Sequence, residues 1–299
     1  MADNALADAV ARPDAIAPPE EELAQFILPW QRRLHLFLRH KPGLVALMVL
    51  ILLYLFAFAG PLLYQIGPDA TDPLATTVAP SLAHPLGSDE LGRDELARIM
   101  AGGRVSLTLG LISVVIAISL GTTVGLIAGY FRGWIELLLM RLVDAAMAVP
   151  AFFLVLIEIT VFGNTTPVII AVIGFTFWSQ IARIMYSETV TLREREFLQA
   201  SEALGVSRFA ILYRHLLPHL FPSMVVMGSL AVAWAILTES ALSFLGLGIQ
   251  PPAASWGSLL QNAQTYIFLD STLAIIPGVF IGLTVLAFNV LGDSLRDVV

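Results

Sequence analysis

The chain has 299 residues, of which 57% are hydrophobic and 13% are charged, and its formal net charge is −7. Soluble domains carry about 25% charged residues, so a chain this apolar could not cover its own surface in water. This composition excludes an ordinary soluble protein, and the negative charge is not typical of a nucleic-acid-binding protein. The lack of cysteine excludes disulfides, thiolate metal ligands and a cysteine nucleophile.

The N-terminal region contains two segments that we expect outside the hydrocarbon layer. Residues 1–22 are rich in alanine, proline and acidic residues, which predicts a disordered cytoplasmic tail. Residues 23–43 mix aromatic and leucine side chains with Arg32, Arg33 and Arg39. This mixture predicts an interfacial elbow helix that leads into the first span, and a specific lipid-binding role is the alternative.

Six apolar stretches reach the roughly 20 residues that a helix needs to cross a bilayer core. They lie at about 44–64, 105–130, 136–162, 166–185, 221–244 and 271–292. The sequence therefore predicts an all-α integral membrane fold with six transmembrane helices, of which the last five form a core over 105–299.

The segment 65–104 between the first two spans is predicted to be extracytoplasmic. Within it, Ser88–Gly103 is typical of a short helix capped by Ser88. Acid–arginine pairs at i,i+4, Asp89 with Arg93 and Asp94 with Arg98, are expected to be surface ion pairs rather than a ligand site.

Positive charges near the spans set the orientation of a membrane protein. With six spans, the cationic segment before span 1 and the cationic loops after spans 2 and 4 fall on one side. The opposite side carries only Arg93, Arg98 and Arg104, all in the loop after span 1. Both termini are therefore predicted to be cytoplasmic.

The longest predicted cytoplasmic loop, Tyr186–Pro222, has the pattern helix, glycine, helix, proline. Its first helix carries an apolar stripe at helical spacing and charged flanks, and it ends at Gly205. Ser207 can cap the second helix, and Pro218 is expected to kink or break the chain as it returns to the membrane. Such a helix could dock into a groove of a soluble partner or could be a plain interfacial loop, and the pattern alone leaves both open.

This loop resembles the EAA loop of ATP-binding-cassette (ABC) importer permeases. The spacing is intact, with matches at Ala200, Gly205, Leu217 and Pro218 and departures at Gln199, Ser201 and His215. Further motifs in the same order resemble the dipeptide, oligopeptide and nickel permease family, specifically its dipeptide-permease C type. They are His84–Asp94, Ala128–Trp134, Met140–Asp144, Leu242–Gly248, Gln250–Pro252, Ser255–Gly257 and Leu283–Asn289.

The resemblance covers about residues 30–299 and implies a type I importer permease in the bacterial inner membrane. It implies a paralogous permease chain, two cassette ATPases and an extracytoplasmic solute-binding protein as partners. It also implies that ATP and magnesium belong to the ATPases, so that this chain is not an enzyme and binds no cofactor. In agreement, the sequence has no Gly-rich phosphate-binding loop ending in Gly-Lys-Ser/Thr.

The resemblance further implies ATPase-coupling roles within the loop. The residues concerned are Phe197, Gln199, Ala200, Ser201, Ala203, Leu204, Gly205, Ser207, Leu217 and Pro218. A self-contained secondary transporter or channel is the alternative function. It would favour internal repeats and embedded charges, whereas this chain has no clear repeat and a nearly charge-free midplane.

Small and charged residues within the spans are further candidates. Gly121, Gly125 and Gly129 form a stripe that favours close helix packing over pore lining. Intramembrane carboxylates are pathway or gating candidates, and the chain has Asp144, Glu158 and Glu239.

Two of these three acidic positions have a simpler explanation. Asp144 could pair with Arg141. Glu158, at a position where the family usually has an apolar residue, could contact a cationic substrate, but we expect it to reach outer water. His215 and His219 have the spacing of a helical metal pair, but Pro218 intervenes, and no metal site is expected.

Overall fold

A computed structural model describes residues 36–298. The predicted tail, 1–22, and residues 23–35 of the predicted elbow lie outside the described residues. In chain order the helices are α1 (Lys41–Phe58), α2 (Gly60–Leu63), α3 (Glu95–Phe131), α4 (Gly133–Met147), α5 (Ala151–Phe162), α6 (Thr166–Arg193), α7 (Glu196–Ala203), α8 (Arg208–Ala210), a π-helix (Ile211–Leu216), α9 (Leu217–Phe244), α10 (Trp256–Tyr266) and α11 (Thr272–Val298). Over this range the predicted all-α fold is confirmed.

Five helical stretches are long and apolar enough to cross a membrane: α1, α3, α6, α11 and the continuous stretch Arg208–Phe244. The helices α4 and α5 pass the same test together, but they are bent by 86° at a short break. The sequence predicted one helix over 136–162 here. Pro150 explains the break, because it lacks an N–H group and disfavours helical geometry at the residue before it.

The helix α3 has 37 residues and merges two predicted elements. It begins at Glu95, where the Asp94 side chain accepts a hydrogen bond from the Ala97 N–H at 2.9 Å. The separate helix predicted over Ser88–Gly103 is therefore wrong. Gly92, with φ of +72°, interrupts a helix before that point, and the Ser88 hydroxyl accepts from the Val78 N–H instead of capping.

Among the described helices, α3 and α6 have the most extensive contact with each other. Gly121, Gly125 and Gly129 are buried along this crossing. A Cβ atom on Gly125 would lie 2.5 Å from the carbonyl oxygen of Ala182, and one on Gly129 would lie 2.7 Å from Cβ of Thr189. Only small residues allow two backbones to approach so closely, so this stripe faces a neighbouring helix.

The chain around the start of α3, residues 64–98, which we call the outer segment, folds over one end of the bundle and buries its charges. Asp89, Arg93, Asp94 and Arg98 are each at most 9% exposed. The expectation of surface pairs is therefore wrong. The chain from Tyr64 to Asp94 covers these side chains, and a buried charge must find a partner inside the protein.

Of the two predicted pairs in this segment, Asp89 with Arg93 forms and Asp94 with Arg98 does not. Asp89 Oδ2 lies 2.6 Å from Arg93 Nε and 3.5 Å from Arg98 Nε. Asp94 is paired not with Arg98 but with the Tyr64 hydroxyl, which donates to it at 2.7 Å, and with His84 Nδ1 at 2.9 Å. Burial and the hydrogen bond to Asp94 raise the pKa of Tyr64.

Candidate functional site

The loop that links α6 to α9 projects from the end of the bundle opposite to the buried charges. Its first helix, α7, ends at Leu204, and the chain reverses at Gly205, whose φ is +76°. Ser207 then caps the next turn, because its hydroxyl accepts a hydrogen bond from the Ala210 N–H at 3.3 Å. This is the helix–glycine–helix order that the sequence predicted.

Pro218 does not break the chain as the sequence suggested. It lies in the first turn of α9, where a missing N–H group is tolerated. The π-helix Ile211–Leu216 precedes it directly, so the stretch Arg208–Phe244 runs on as one helical unit. The span expected to begin at 221 therefore continues without interruption into the loop.

One face of the loop packs against the membrane helices. Leu198 of α7 is 2% exposed and shares a hydrophobic cluster with Ile211, Leu216 and, from α3, Leu126 and Tyr130. The predicted stripe did not include Leu198. Its burial depends on how α7 packs on α6 and the π-helix, which periodicity within an eight-residue helix does not reveal.

The other face exposes large apolar side chains, which we call the loop patch: Phe197, Leu204, Phe209 and Tyr213. Leu204 is 84% exposed and Phe209 is 69% exposed. The rings of Phe209 and Tyr213 lie 4.4 Å apart, and the ring of Phe197 stacks on that of His219 at 5.1 Å. Phe209 and Tyr213 were missed, although their i,i+4 spacing is a signal for such a pair.

None of the ten coupling candidates is buried. Exposed positions are Phe197, Gln199, Ala200, Ala203, Leu204, Gly205, Ser207 and Pro218, and half-buried ones are Ser201 and Leu217. They are thus accessible to a partner at the surface of the chain.

The three carboxylate candidates lie in separate places. Asp144 of α4 forms an ion pair with Arg183 of α6, and it is 3.9 Å from Arg141, its expected partner. Two arginines thus hold this carboxylate at the junction of α4 and α6.

Glu239 is fully buried where α3, α9 and α10 meet. The Ser243 hydroxyl donates to it at 2.7 Å, and the Ser106 hydroxyl lies 3.4 Å away. Ser106 also accepts from the backbone N–H of Trp256, at the start of α10. Glu239 therefore joins three helices through hydroxyl groups.

Glu158 of α5 is half-buried, and its carboxylate accepts a hydrogen bond from the Thr176 hydroxyl of α6 at 3.0 Å. It lies on a groove that is open to the outside of this chain.

The two histidines of the loop do not converge on a common ligand. Nδ1 of His219 lies 2.5 Å from the carbonyl oxygen of His215, and its ring stacks on Phe197. Across residues 36–298, no three carboxylate or imidazole side chains come together to hold a metal ion.

A family model described as the binding-protein-dependent transport system inner membrane component matches residues 121–299. The chain belongs to this family. A second model, the N-terminal TM domain of oligopeptide transport permease C, matches residues 29–85 of the permease. The resemblance seen in the sequence motifs is confirmed, and the permease is an integral component of the inner membrane.

Curated relatives cover almost the whole permease. It is 36% identical to the glutathione transport system permease protein GsiD of Pectobacterium atrosepticum over 90% of each chain. It is 34% identical to the dipeptide transport system permease protein DppC of Alkalihalophilus pseudofirmus, over 95% of this chain and 94% of that one. With the oligopeptide transport system permease protein OppC of Escherichia coli K12, identity is 37% over 90% and 89%.

The permease also resembles a solved structure, an inward-facing conformation of the MetNI methionine ABC transporter. The TM-score is 0.54 at 18% identity, over 66% of this chain and 94% of that chain. A likeness at this identity shows the fold alone. The fold is that of a type I importer permease, as predicted.

Proposed function

We propose that this permease forms half of the translocation pathway of an ABC importer for peptides or related small solutes. The names of its glutathione, dipeptide and oligopeptide relatives support this substrate class. A paralogous permease chain supplies the other half, and an extracytoplasmic solute-binding protein delivers the solute. Two cassette ATPases bind and hydrolyse ATP with magnesium, so this chain is a non-catalytic subunit.

The observation that carries the coupling role is the loop patch. An exposed group of large apolar side chains outside the spans marks an interaction site, because leaving it in water is unfavourable. Charged residues such as Glu196, Glu202 and Arg208 surround it, which suits a soluble partner better than lipid.

The buried face of the loop suits it to transmit motion. Leu198 and Ile211 pack against the end of α3, and the π-helix continues directly into α9. A partner that moves the loop patch must therefore move two membrane helices. We assign the ATPase contact to the loop patch and to the ten coupling candidates around it.

The proposed orientation puts the loop and both termini in the cytoplasm. The excess of arginine and lysine on that side supports it. Residues 65–94 then face the extracytoplasmic space, where the solute-binding protein docks.

A charge placed in the loop patch tests this function. Leu204→Glu puts a carboxylate on a side chain that is already 84% exposed, so the permease itself should stay folded. Loss of an interface anchor costs about 2 kcal/mol, or roughly 30-fold in affinity. We expect the ATPase to co-purify poorly with this variant and ATP-dependent uptake in proteoliposomes to fall.

Leu82→Glu is the matched control, because Leu82 is 105% exposed but lies in the outer segment. It should retain the ATPase at the wild-type level. Equal retention by Leu204→Glu would contradict the assignment of the loop. Uptake driven by an ion gradient in vesicles without the ATPase would favour a secondary transporter.

A further inference from the structure

Glu158 lies in a groove of about 490 Å³ on the outside of α5 and α6. It is the only titratable residue among the lining side chains. The others are Phe162, Val168, Ala171, Val172 and Phe175. A mostly apolar cavity of a few hundred Å³ with one or two well-placed polar groups is the usual form of a small-molecule site.

The carboxylate bonds to α6 well along that helix from its first residue. Its partner Thr176 is ten residues from Thr166, the first residue of α6. At 1.5 Å per residue this is about 15 Å along the helix. Glu158 itself lies about one turn before Phe162, the last residue of α5, and the expectation that it reaches outer water stays a prediction.

The carboxylate has no cationic partner within the described residues. None of the ion pairs formed there includes Glu158. A charged side chain that faces hydrocarbon at mid-depth costs about 2.5–3.5 kcal/mol, so such residues face a water-filled cavity or a cation. Thr176 holds Oε2, which fixes the orientation of the carboxylate towards the groove.

We infer that Glu158 and the groove around it form a subsite for a positively charged group of the transported solute. This inference rests on the proposed function and names a feature of its substrate. The ammonium or guanidinium group of a basic side chain supplies the missing charge, and its aliphatic stem packs on Phe162 and Phe175.

Three features favour the solute over a cationic side chain of the partner permease. The groove has the volume of a ligand site, its walls are apolar and aromatic, and only one polar group orients the occupant. A contact between two permease chains remains as an outcome of the test.

The test compares uptake of two peptides by the complete transporter in proteoliposomes with its binding protein. Alanyl-lysine carries the ammonium group, and alanyl-norleucine has the same stem without it. Every permease variant receives the same binding protein, so the preference of that protein cancels when uptake ratios are compared. For Glu158→Gln we expect the lysine-to-norleucine uptake ratio to fall about tenfold, because a charge-assisted contact is lost.

Two further variants make the result specific. Glu158→Asp keeps the charge on a shorter stem and should retain part of the ratio. Thr160→Val changes a neighbouring exposed residue of α5, whose hydroxyl bonds only to its own helix at Leu156, and should leave the ratio unchanged.

Each other outcome overturns the subsite. An unchanged lysine-to-norleucine uptake ratio for Glu158→Gln means that the groove does not bind the charged group of the solute. An equal loss of both peptides, with loss of the partner permease on purification, assigns Glu158 to the contact between the two chains. If the wild-type transporter imports neither peptide with ATP, the proposed function fails for this substrate class and the subsite falls with it.

Discussion

The two regions of this permease that lie outside the spans differ in which side chains they bury and which they expose. The outer segment is rich in charge, yet Arg93 and Arg98 are buried and both form ion pairs with Asp89. The loop end is rich in apolar side chains, yet Leu204 and Phe209 point into solvent. The charges at one end are therefore compensated within the chain, and the loop end keeps exposed apolar side chains for a partner.

This difference shows that residue type alone does not tell which surface binds a partner. Charges that pair inside the chain stabilise a fixed cover over the bundle, so a protein that docks there must contact other side chains of the segment. Exposed apolar groups stay unfavourable in water until something covers them. If the comparison is right, damage to the outer segment should act on folding, and damage to the loop should act on coupling.

The largest expected effect comes from an arginine in the outer segment. Arg98→Ala removes a cation that is 3% exposed and leaves Asp89 with less compensation. Breaking a buried ion pair in this way costs about 3–5 kcal/mol. We expect a clear fall in the thermal unfolding midpoint of the purified protein.

An arginine at the loop end is the matched control for Arg98. Arg132 pairs with Glu194 at 2.9 Å, but the two side chains are 44% and 69% exposed. Such a surface pair contributes less than about 1 kcal/mol, so Arg132→Ala should barely move the midpoint. Equal shifts for the two alanine variants would break the comparison.

The next effect concerns α3 and α6, the helices that connect the two ends. Gly125→Ala would place Cβ 2.5 Å from a backbone oxygen that cannot rotate away, which should cost about 1–3 kcal/mol. Thermal unfolding of this variant should occur at a lower temperature. Gly282→Ala, whose Cβ meets nothing within 4 Å, should be neutral or stabilising. A similar fall in the unfolding temperature of both variants would mean that the close α3–α6 contact does not cause the loss of stability.

A smaller effect is expected at the loop turn. Gly205 has φ of +76°, which costs a residue with a Cβ atom about 1–2 kcal/mol, although nothing lies within 4 Å of that atom. Gly205→Val should therefore change the turn and uncouple ATP hydrolysis from uptake, while membrane insertion stays normal. Gly205→Asn, which tolerates this geometry, should keep more of the coupling. Wild-type uptake per ATP in the valine variant would count against the loop.

The smallest effect returns to the outer segment. Tyr64→Phe removes the hydroxyl that donates to Asp94 at 2.7 Å, while His84 and the Ala97 N–H still contact that carboxylate. A loss of about 1 kcal/mol is expected, seen as a slight fall in the unfolding midpoint with unchanged ATPase binding. A change in ATPase binding without a stability change would contradict the division between the two ends.

Long-range apolar blocks and local motifs were readable without a structure. The lengths of the blocks predicted the helical membrane fold, and the loop motif with its departures at Gln199 and Ser201 still identified the family. The order around Gly205 was also readable, because a helix end in the left-handed region has a strong preference for glycine.

Features that depend on which chain segment covers another could not be predicted from the sequence. The i,i+4 rule paired Asp94 with Arg98 as surface neighbours, but in the structure the Asp94 carboxylate contacts Tyr64 and His84. Leu198 was overlooked as an anchor, because its burial comes from the packing of α7 on α6 and the π-helix rather than from its own helix.

The sequence by itself therefore determined that the chain lies in a membrane, how many apolar blocks it has, and to which family it belongs, because these depend on composition and local spacing. Tertiary structure alone decided that the charges of the outer segment are buried, that Leu198 is buried, and that Glu158 bonds to Thr176. These three features arise from contacts between residues far apart in the chain, and no local pattern encodes such contacts.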